Sequence, residues 1–498
     1  MNVMSVRKSL LKRAAAPLVL SLASSLAIGG CTTVGPNFER PAASAAPGYT
    51  AAGETGPALQ QVQLGQEVAG AWWAYFGSPE LDEVMRLAIE NSPSLQAADA
   101  TLAAARAQIL AARAESAPQV NGQAGVTGQR LNLQSFGFDT SSFEGLENNP
   151  TFALYSIGAS VSYALDPWGL NVRQVESAAA RAEAQAHQAD AAYLSLTGNV
   201  ALQAARIAAI RAQIAAVEEI VADDQRIIDL ARKARDAGAE SDAPTVDAQA
   251  QLAADQARLP PLHQDLAAAR HGLAVLVGKS PSEWSPPDFE LAKLTLPRQI
   301  PLSLPSDLVR QRPDILVAEA RLHAAVADVG VATAQLYPNL NLTATLTQSA
   351  LSIPSLFKPE ATAASLGAAL AGPLYDGGRR RAQKAASEAN ARAALASYQE
   401  TVVQAFGQVA DLLQALAHDE EALAAQTRAR DSAQANLRLA RAAYEGGATG
   451  IGPVIDAERQ LNAARLALVA VEAQRYMHTV QLFAATGTGL REAPTPKA

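Results

Sequence analysis

Residues 196–228 read LTGNVALQAARIAAIRAQIAAVEEIVADDQRII. Leu196, Val200, Ile207, Ile210, Ile214, Val217, Val221 and Ile228 follow a four-three spacing, broken only by the polar Gln203 and Asp224. A 3.5-residue apolar repeat is the mark of supercoiled helices. It predicts one long helix over about 172–236. Leu395, Tyr398, Val402, Ala405, Val409, Leu412, Leu416 and Leu423 repeat the pattern and predict a second over about 380–445. A helix of about 64 residues extends roughly 96 Å at about 1.5 Å per residue. A compact domain has no use for that reach, whereas the wall of a rod or tunnel has.

The two long helices belong to a duplication. At a shift of 220, residues 92–121 fall without a gap on 312–341, bringing Pro93 onto Pro313, Leu102 onto Leu322, Pro118 onto Pro338 and Asn121 onto Asn341. Further on the shift is 209, and Leu165 meets Leu374, Gly169 meets Gly378, Gly238 meets Gly447, Pro244 meets Pro453, Asp247 meets Asp456 and Gly278 meets Gly487. Alanine bias does not put Pro, Gly, Asp and Asn in register. Each copy (71–280 and 306–490) reads as a moderate helix (about 80–117, then 306–337), two short strands, a very long helix, a glycine turn and a returning helix (about 242–277, then 453–486). Pro281, Pro286, Pro287, Pro297, Pro301 and Pro305 make 281–305 an irregular crossover, and 491–498 is a loose tail.

The strand segments have period two. Val120, Gly122, Ala124 and Val126 alternate with Asn121, Gln123 and Thr127; Tyr155 through Leu165 alternate with Ser156, Gly158, Ser160 and Ser162; Leu340, Leu342, Ala344 and Leu346 alternate with Asn341, Thr343, Thr345 and Thr347. The segment around Ala364, Leu366, Ala368 and Leu370 is the weakest, because its other face is also small. Runs of about 10 alternating residues suit a membrane β-barrel, apolar to lipid and polar to the lumen; a soluble two-faced sheet has the same pattern. Four strands do not close a barrel, and an open edge in lipid leaves unpaired backbone groups. If the strands cross a membrane, several protomers share one barrel.

The N-terminus has its own pattern. Arg7, Lys8, Lys12 and Arg13 precede an apolar run from Ala14 to Ile28, the plan of a secretory signal peptide over 1–30. It ends in Ile28-Gly29-Gly30-Cys31, which resembles the bacterial lipobox, where diacylglycerol joins the cysteine thiol and a further acyl chain its freed amine. By the same resemblance, Thr32 in the next position favours the outer membrane, and 31–70 becomes a lipidated N-terminal linker. The net charge of −8 offers no basic footprint for nucleic acid. Aromatics are only 5 % of the chain, and the abundant alanine suits close helix contact over long distances.

Three stretches carry a family resemblance: Cys31-Thr32-Thr33-Val34-Gly35-Pro36-Asn37-Phe38 with Arg40-Pro41; Trp72-Trp73-Ala74-Tyr75-Phe76-Gly77-Ser78-Pro79-Glu80-Leu81; and Arg310-Gln311-Arg312-Pro313-Asp314-Ile315 through Ala318-Glu319 to Tyr337-Pro338-Asn339-Leu340. In this order and spacing they resemble the TolC/OprM-type outer-membrane efflux proteins, in the lipoprotein branch called NodT-like. The resemblance covers nearly all of the mature chain. It implies a mainly α fold with a membrane β portion, four strands per protomer closing as a trimeric 12-stranded β-barrel on an α-helical tunnel. Loops near 134–150 and 350–361 would face outward, and turns at Gly238 and Gly447 would form the periplasmic tip. A periplasmic adaptor (a membrane fusion protein) and an inner-membrane pump, usually of the resistance-nodulation-division type, would dock there. It also implies a gate on the helices flanking the second turn, which places Tyr444, Asp456 and Arg459 at gate positions. The chain departs from the family at Thr449-Gly450-Ile451-Gly452-Pro453, where an acidic or polar residue followed by an aromatic or Leu is usual.

Catalytic chemistry is poorly served. Cys31 is the only cysteine, and His187, His263, His271, His323, His418 and His478 are scattered, most of them reading as solvated helix residues. Gly278-Lys279-Ser280 imitates a phosphate loop, but Leu273 stands where its glycine belongs, and the match to Gly487 makes Gly278 a helix C-cap. Glu218/Glu219 and Asp223/Asp224 on the long helix read as facing water. The resulting expectation is a passive, gated exit duct for drugs or metabolites in the outer membrane, neither an enzyme nor in need of a cofactor beyond the lipid on Cys31. Alternatives are a type I protein-secretion duct and a periplasmic coiled-coil adaptor or scaffold lipoprotein.

Overall fold

The computed structural model describes residues 33–42, 47–51, 57, 59–66, 68, 70–132 and 150–487. The signal segment, Cys31, most of the 134–150 loop and the 491–498 tail lie outside the described residues. The elements in chain order are β1 (Gln61–Leu64), α1 (Pro79–Asn91), α2 (Pro93–Glu115), β2 (Gln119–Arg130), β3 (Thr151–Leu165), α3 (Leu170–Asp236), α4 (Ala243–Gln256), α5 (Leu259–Leu276), β4 (Gln299–Leu302), α6 (Pro305–Gln311), α7 (Pro313–Ala334), β5 (Asn339–Ala350), α8 (Ile353–Leu356), β6 (Thr362–Ala371), α9 (Arg379–Glu445) and α10 (Gly452–Thr486).

Several element bounds repeat at the offsets read from the sequence. β2 and β5 start and end 220 apart, α2 and α7 start 220 apart, and the long helices α3 and α9, each of 67 residues, are offset by 209 at both ends. Three helices expected to be continuous are broken, each at proline. The first helix of each copy stops before Pro93 and Pro313, where Ser92 (φ −62°, ψ 119°) and Arg312 (φ −74°, ψ 121°) are extended. The proline ring disfavours the helical conformation in the residue before it and removes one N–H. The returning helix of the first copy divides into α4 and α5 around Ala257-Arg258, just ahead of Pro260 and Pro261. The second copy has Val469 and Ala470 there, and α10 runs unbroken.

The chain forms two compact units, and α3 and α9 contribute residues to both. One unit takes Ala104–Ala182, Ala320–Leu395 and the described part of Met1–Glu39, and holds an antiparallel sheet in the order β2-β3-β5-β6. Its register sorts the faces. Leu165, Leu340 and Leu370 lie in one row, Tyr163, Leu342 and Ala368 in the next, and Val120, Val161, Ala344 and Leu366 in a third. On the opposite face Asn121, Ser160, Thr345 and Ser365 form a row, with the Thr345 and Ser365 hydroxyls 2.6 Å apart. Every residue of β2 and of β6 is exposed, and the outer edge of each has no strand partner among the described residues. The weak fourth segment is therefore a full strand. In the same unit the nearly buried Arg173 donates to the Val34 and Gly35 carbonyls and to Asn37 Oδ1, fastening the segment that follows Cys31.

The other unit takes Arg40–Ala103, Glu183–Glu319 and the described part of Ala396–Ala498. Its larger core gathers Leu196, Val200, Ile207 and Ile210 of α3, Leu273 of α5, Val409 and Leu416 of α9, and Phe483 of α10 around Trp72, Phe76 and Met85. α3 contains a stretch apolar and long enough to cross a bilayer by composition, yet 56 % of it is buried inside the protein, as the apolar stripe requires. The crossover is less irregular than its prolines imply, because β4 pairs in parallel with β1, Gln61 opposite Gln299. Three of the histidines are half-buried rather than solvated. His478 Nδ1 lies 2.6 Å from Asp419 Oδ2, His187 sits between Glu183 and Asp190, and, in the first unit, His323 stacks on Phe38 at 4.4 Å and meets Glu176 at 3.2 Å. Gly278 caps α5 in the left-handed region (φ 76°), as expected; its duplicate Gly487 also ends its helix, its N–H donating to the Phe483 carbonyl, but in an extended conformation (φ −63°, ψ 142°).

Candidate functional site

α3 and α9 end in the same way. Gly238 and Gly447 both take φ 71°, which an L-residue with a Cβ adopts only at a cost. Ala239 N–H donates to the Ala234 carbonyl at 2.9 Å and Ala448 N–H to the Ala443 carbonyl at 2.8 Å, while each glycine N–H closes the shorter bond inside. These paired bonds satisfy the carbonyls a helix end leaves free. Pro244 and Pro453, each in the first two positions of the returning helix, restart it where no N–H is needed. A second apolar core lies between the four helices, made by Ile227 and Ile228 of α3, Ala248 of α4, Leu437 of α9, and Val454, Ile455 and Leu461 of α10, together with Ile451 just ahead of α10.

The polar residues around this core differ between the turns. Arg459 on α10 is the central cation. Its Nη2 lies 2.8 Å from Asp247 Oδ2 on α4, its Nη1 3.4 Å from Asp456 Oδ1 one turn before it, and its Nε donates to Gln251 Oε1 at 3.1 Å. The expected pair Asp456–Arg459 is present but is the longer of the two; the closer carboxylate belongs to Asp247, the duplicate of Asp456. Tyr444 packs half-buried against the apolar core, and no hydrogen bond joins it to Asp456 or Arg459.

Two features of this region were missed in the sequence. Glu240, in the first turn, accepts the Ile451 N–H at 2.9 Å and so ties it to the second. A Cβ on Gly450 would overlap Glu240 Oε1, which gives the unusual glycine in the Thr449–Pro453 stretch a reason. The other feature is a group of buried acids. Asp223 and Asp224 do not face water; they are 8 % and 5 % exposed, and Asp255 and Glu458 are 2 % and 3 % exposed. Asp223 is met by Arg226 and by Arg465 of α10, Asp255 by Arg258, and Glu458 by Arg441 of α9. Asp224 has no such cation. Burial, the hydrogen-bonded carboxyl of Asp255 and the nearby Glu458 push its pKa up to about 7, against a weaker opposing pull from Arg459. The signal available in the sequence was Asp224 itself, a polar residue inside an apolar stripe. Among the described residues no group of three His, Cys, Asp or Glu side chains is arranged to hold a metal ion.

Residues 84–279 and 304–488 match the family model described as outer membrane efflux protein. The chain is 30 % identical over 418 residues to the pyoverdine export outer membrane protein OpmQ of Pseudomonas aeruginosa, covering 84 % of this chain and 87 % of that one. It is also 30 % identical to the outer membrane protein OprJ of the same organism, covering 95 % and 96 %. Among solved structures it resembles the outer-membrane channel OprN with a TM-score of 0.81 and 27 % identity, over 92 % of this chain and 99 % of that one. It resembles VceC from Vibrio cholerae with a TM-score of 0.75 and 26 % identity, over 84 % and 98 %.

Proposed function

Because the chain belongs to the outer membrane efflux protein family, we propose that three copies of it form a single gated conduit, with a 12-stranded barrel in the outer membrane continued by a tunnel of the long helices. The chain is an outer-membrane channel component of an efflux system, in a family of transport proteins. The observation that carries the assembled form is the sheet of β2, β3, β5 and β6. One face is mainly apolar and the other mainly polar, while neither outer edge has a strand partner among the described residues. One copy leaves those edges unpaired, which lipid does not tolerate, and antiparallel β6-to-β2 pairing between copies removes both.

In this reading Cys31 carries the lipid anchor, and Arg173 holds the segment that follows it. The turns at Gly238 and Gly447 meet a periplasmic adaptor and an inner-membrane pump of the resistance-nodulation-division type. Tyr444, Asp456 and Arg459 form the gate, with Asp247 added as the closer partner of Arg459. Relatives named for pyoverdine export, cation efflux and solvent efflux suggest small solutes or ions as cargo, selected by the pump rather than the duct. The test is single-channel conductance in a planar bilayer. The native oligomer is expected to give small or rare currents, and the Asp456→Ala, Arg459→Ala double variant large and stable ones. Equal currents move the gate elsewhere, and a folded oligomer that never inserts sinks the channel.

A further inference from the structure

The buried acids and the Arg459 latch are joined by a continuous chain of contacts. Asp224 of α3 shares a hydrogen bond with Asp255 of α4. Asp255 Oδ2 accepts from Gln251 Nε2 at 2.6 Å, Gln251 Oε1 accepts from Arg459 Nε at 3.1 Å, and Arg459 Nη2 meets Asp247 Oδ2 at 2.8 Å. Two carboxyl groups in hydrogen-bonding contact need a proton between them. Asp255 already has Arg258 as its cation, so Asp224 is the natural holder of that proton. Its Oδ2 is buried with no partner inside the protein. Asp224, Gln251, Glu458 and Arg459 also line one cavity of about 10 Å³, so the acid and the guanidinium border the same void.

Resting on the gate reading above, we propose that Asp224 is a positioning residue for Arg459, its proton deciding which carboxylates the guanidinium serves. With the proton in place, Asp224 is neutral and Arg459 stays with Asp247 and Asp456, holding α4 against α10. When the proton leaves to solvent, three carboxylates (Asp224, Asp255 and Glu458) face one another in an apolar core. Arg459 is the cation whose charge acts on Asp224, and it is drawn inward. The Asp247 and Asp456 contacts weaken, and the helix pair loosens. The charges facing Asp224 are Asp255 from α4 and Glu458 and Arg459 from α10. Asp223 beside it is held by Arg226 and Arg465, and Arg441 of α9 acts on Glu458.

The sign follows from the direction of the shift. The acid holds its proton more tightly in the closed form than when solvated, so the closed form is favoured at low pH and that advantage is lost as pH rises to about 7. Two readouts on the full-length oligomer test this between pH 5 and 8. One is channel opening in a planar bilayer; the other is amide exchange of α4 in detergent, divided by the intrinsic rate. Both are expected to rise by up to about tenfold per pH unit and to level off just above 7. Asp224→Asn should flatten both curves at the low-pH value, and Asp255→Asn, which removes the like charge, should move the midpoint down. If Asp224→Asn does not fold, Asp255→Asn decides alone. A native exchange curve with no change over this range overturns the proposal, as does an Asp224→Asn protein that follows the native curve. Conducting channels whose opening ignores pH overturn it and leave the duct intact. Exchange that titrates in a protein that never conducts supports the acid pair and sinks the duct.

Discussion

At the turn around Gly238, Arg235 lies within 2.8 Å of Asp236 and 3.1 Å of Asp242, and all three are exposed. At the turn around Gly447 the same positions are Tyr444, Glu445 and Ile451, and Ile451 is fully buried. Asp247 and Asp456 are common to both, but Arg459 stands where the first copy has Ala250, and Glu458 where it has Gln249. The glycine geometry is the same in each. Duplication has thus kept the backbone of the turn and let its chemistry diverge: charge at the first turn sits in water, while at the second it is turned inward, toward α4 and the buried acids. Substitutions at matched positions ask whether this division is real.

The largest contrast is expected at Arg232 and Arg441, which are duplicates. Arg441 meets Glu458 at 2.9 Å, and that carboxylate is only 4 % exposed; Arg232 meets Asp229 at 3.7 Å with both side chains about half in water. Arg441→Ala strands a buried charge and should lower stability by about 2 kcal/mol, below the full cost of breaking a buried pair because the arginine itself is half-exposed. Arg232→Ala should change it by less than about 0.5 kcal/mol. Loss of helical circular dichroism with temperature reads both, and equal shifts would show that the second turn is no more inward-facing than the first.

Next comes the tie between the turns. Gly450→Ala puts a methyl group where Glu240 Oε1 sits and should break the bond to the Ile451 N–H, at about 1.5 kcal/mol for a charge-assisted hydrogen bond. Ser241, its duplicate, is exposed and already carries a Cβ, so Ser241→Ala adds no atom and should be close to silent. Faster amide exchange at Ile451 is the direct readout. In a Glu240→Ala background the Gly450→Ala effect should largely vanish, since the group it evicts is already gone.

What the sequence could and could not reveal follows the same division. The long helices, the strand faces and both glycine turns depend on local period and on residues that match at a fixed shift, and all were legible. The breaks at Pro93, Pro313 and Pro260 were not, because the apolar spacing continues across them and a proline also suits a helix start. Asp224 was legible as a polar interruption of the stripe, but its burial depends on Asp255 and Glu458, which come from two other helices. Arg459 and Asp456 were named through the family resemblance, while the closer partner of Arg459, Asp247, lies in the other copy. Contacts made within a helix can be read from spacing; contacts that join the copies need the fold. Cys31 and the lipid reading fall outside the described residues and rest on the sequence alone.

The smallest effect tests the shared half of the comparison. Gly238 and Gly447 have the same φ, and a Cβ on either meets nothing within 4 Å, so alanine brings only backbone strain and no clash. Gly238→Ala and Gly447→Ala should each cost about 1 kcal/mol, and by the same amount. Matched thermal shifts would mean that the backbone of the duplicated turn is one device used twice, with the difference between the turns confined to side chains. A larger cost at Gly447 would mean that the second turn is held in place by something the first lacks. Repeating the pair in a Glu240→Ala background then decides whether that something is the Glu240 tie, because removing it should bring the two costs back together.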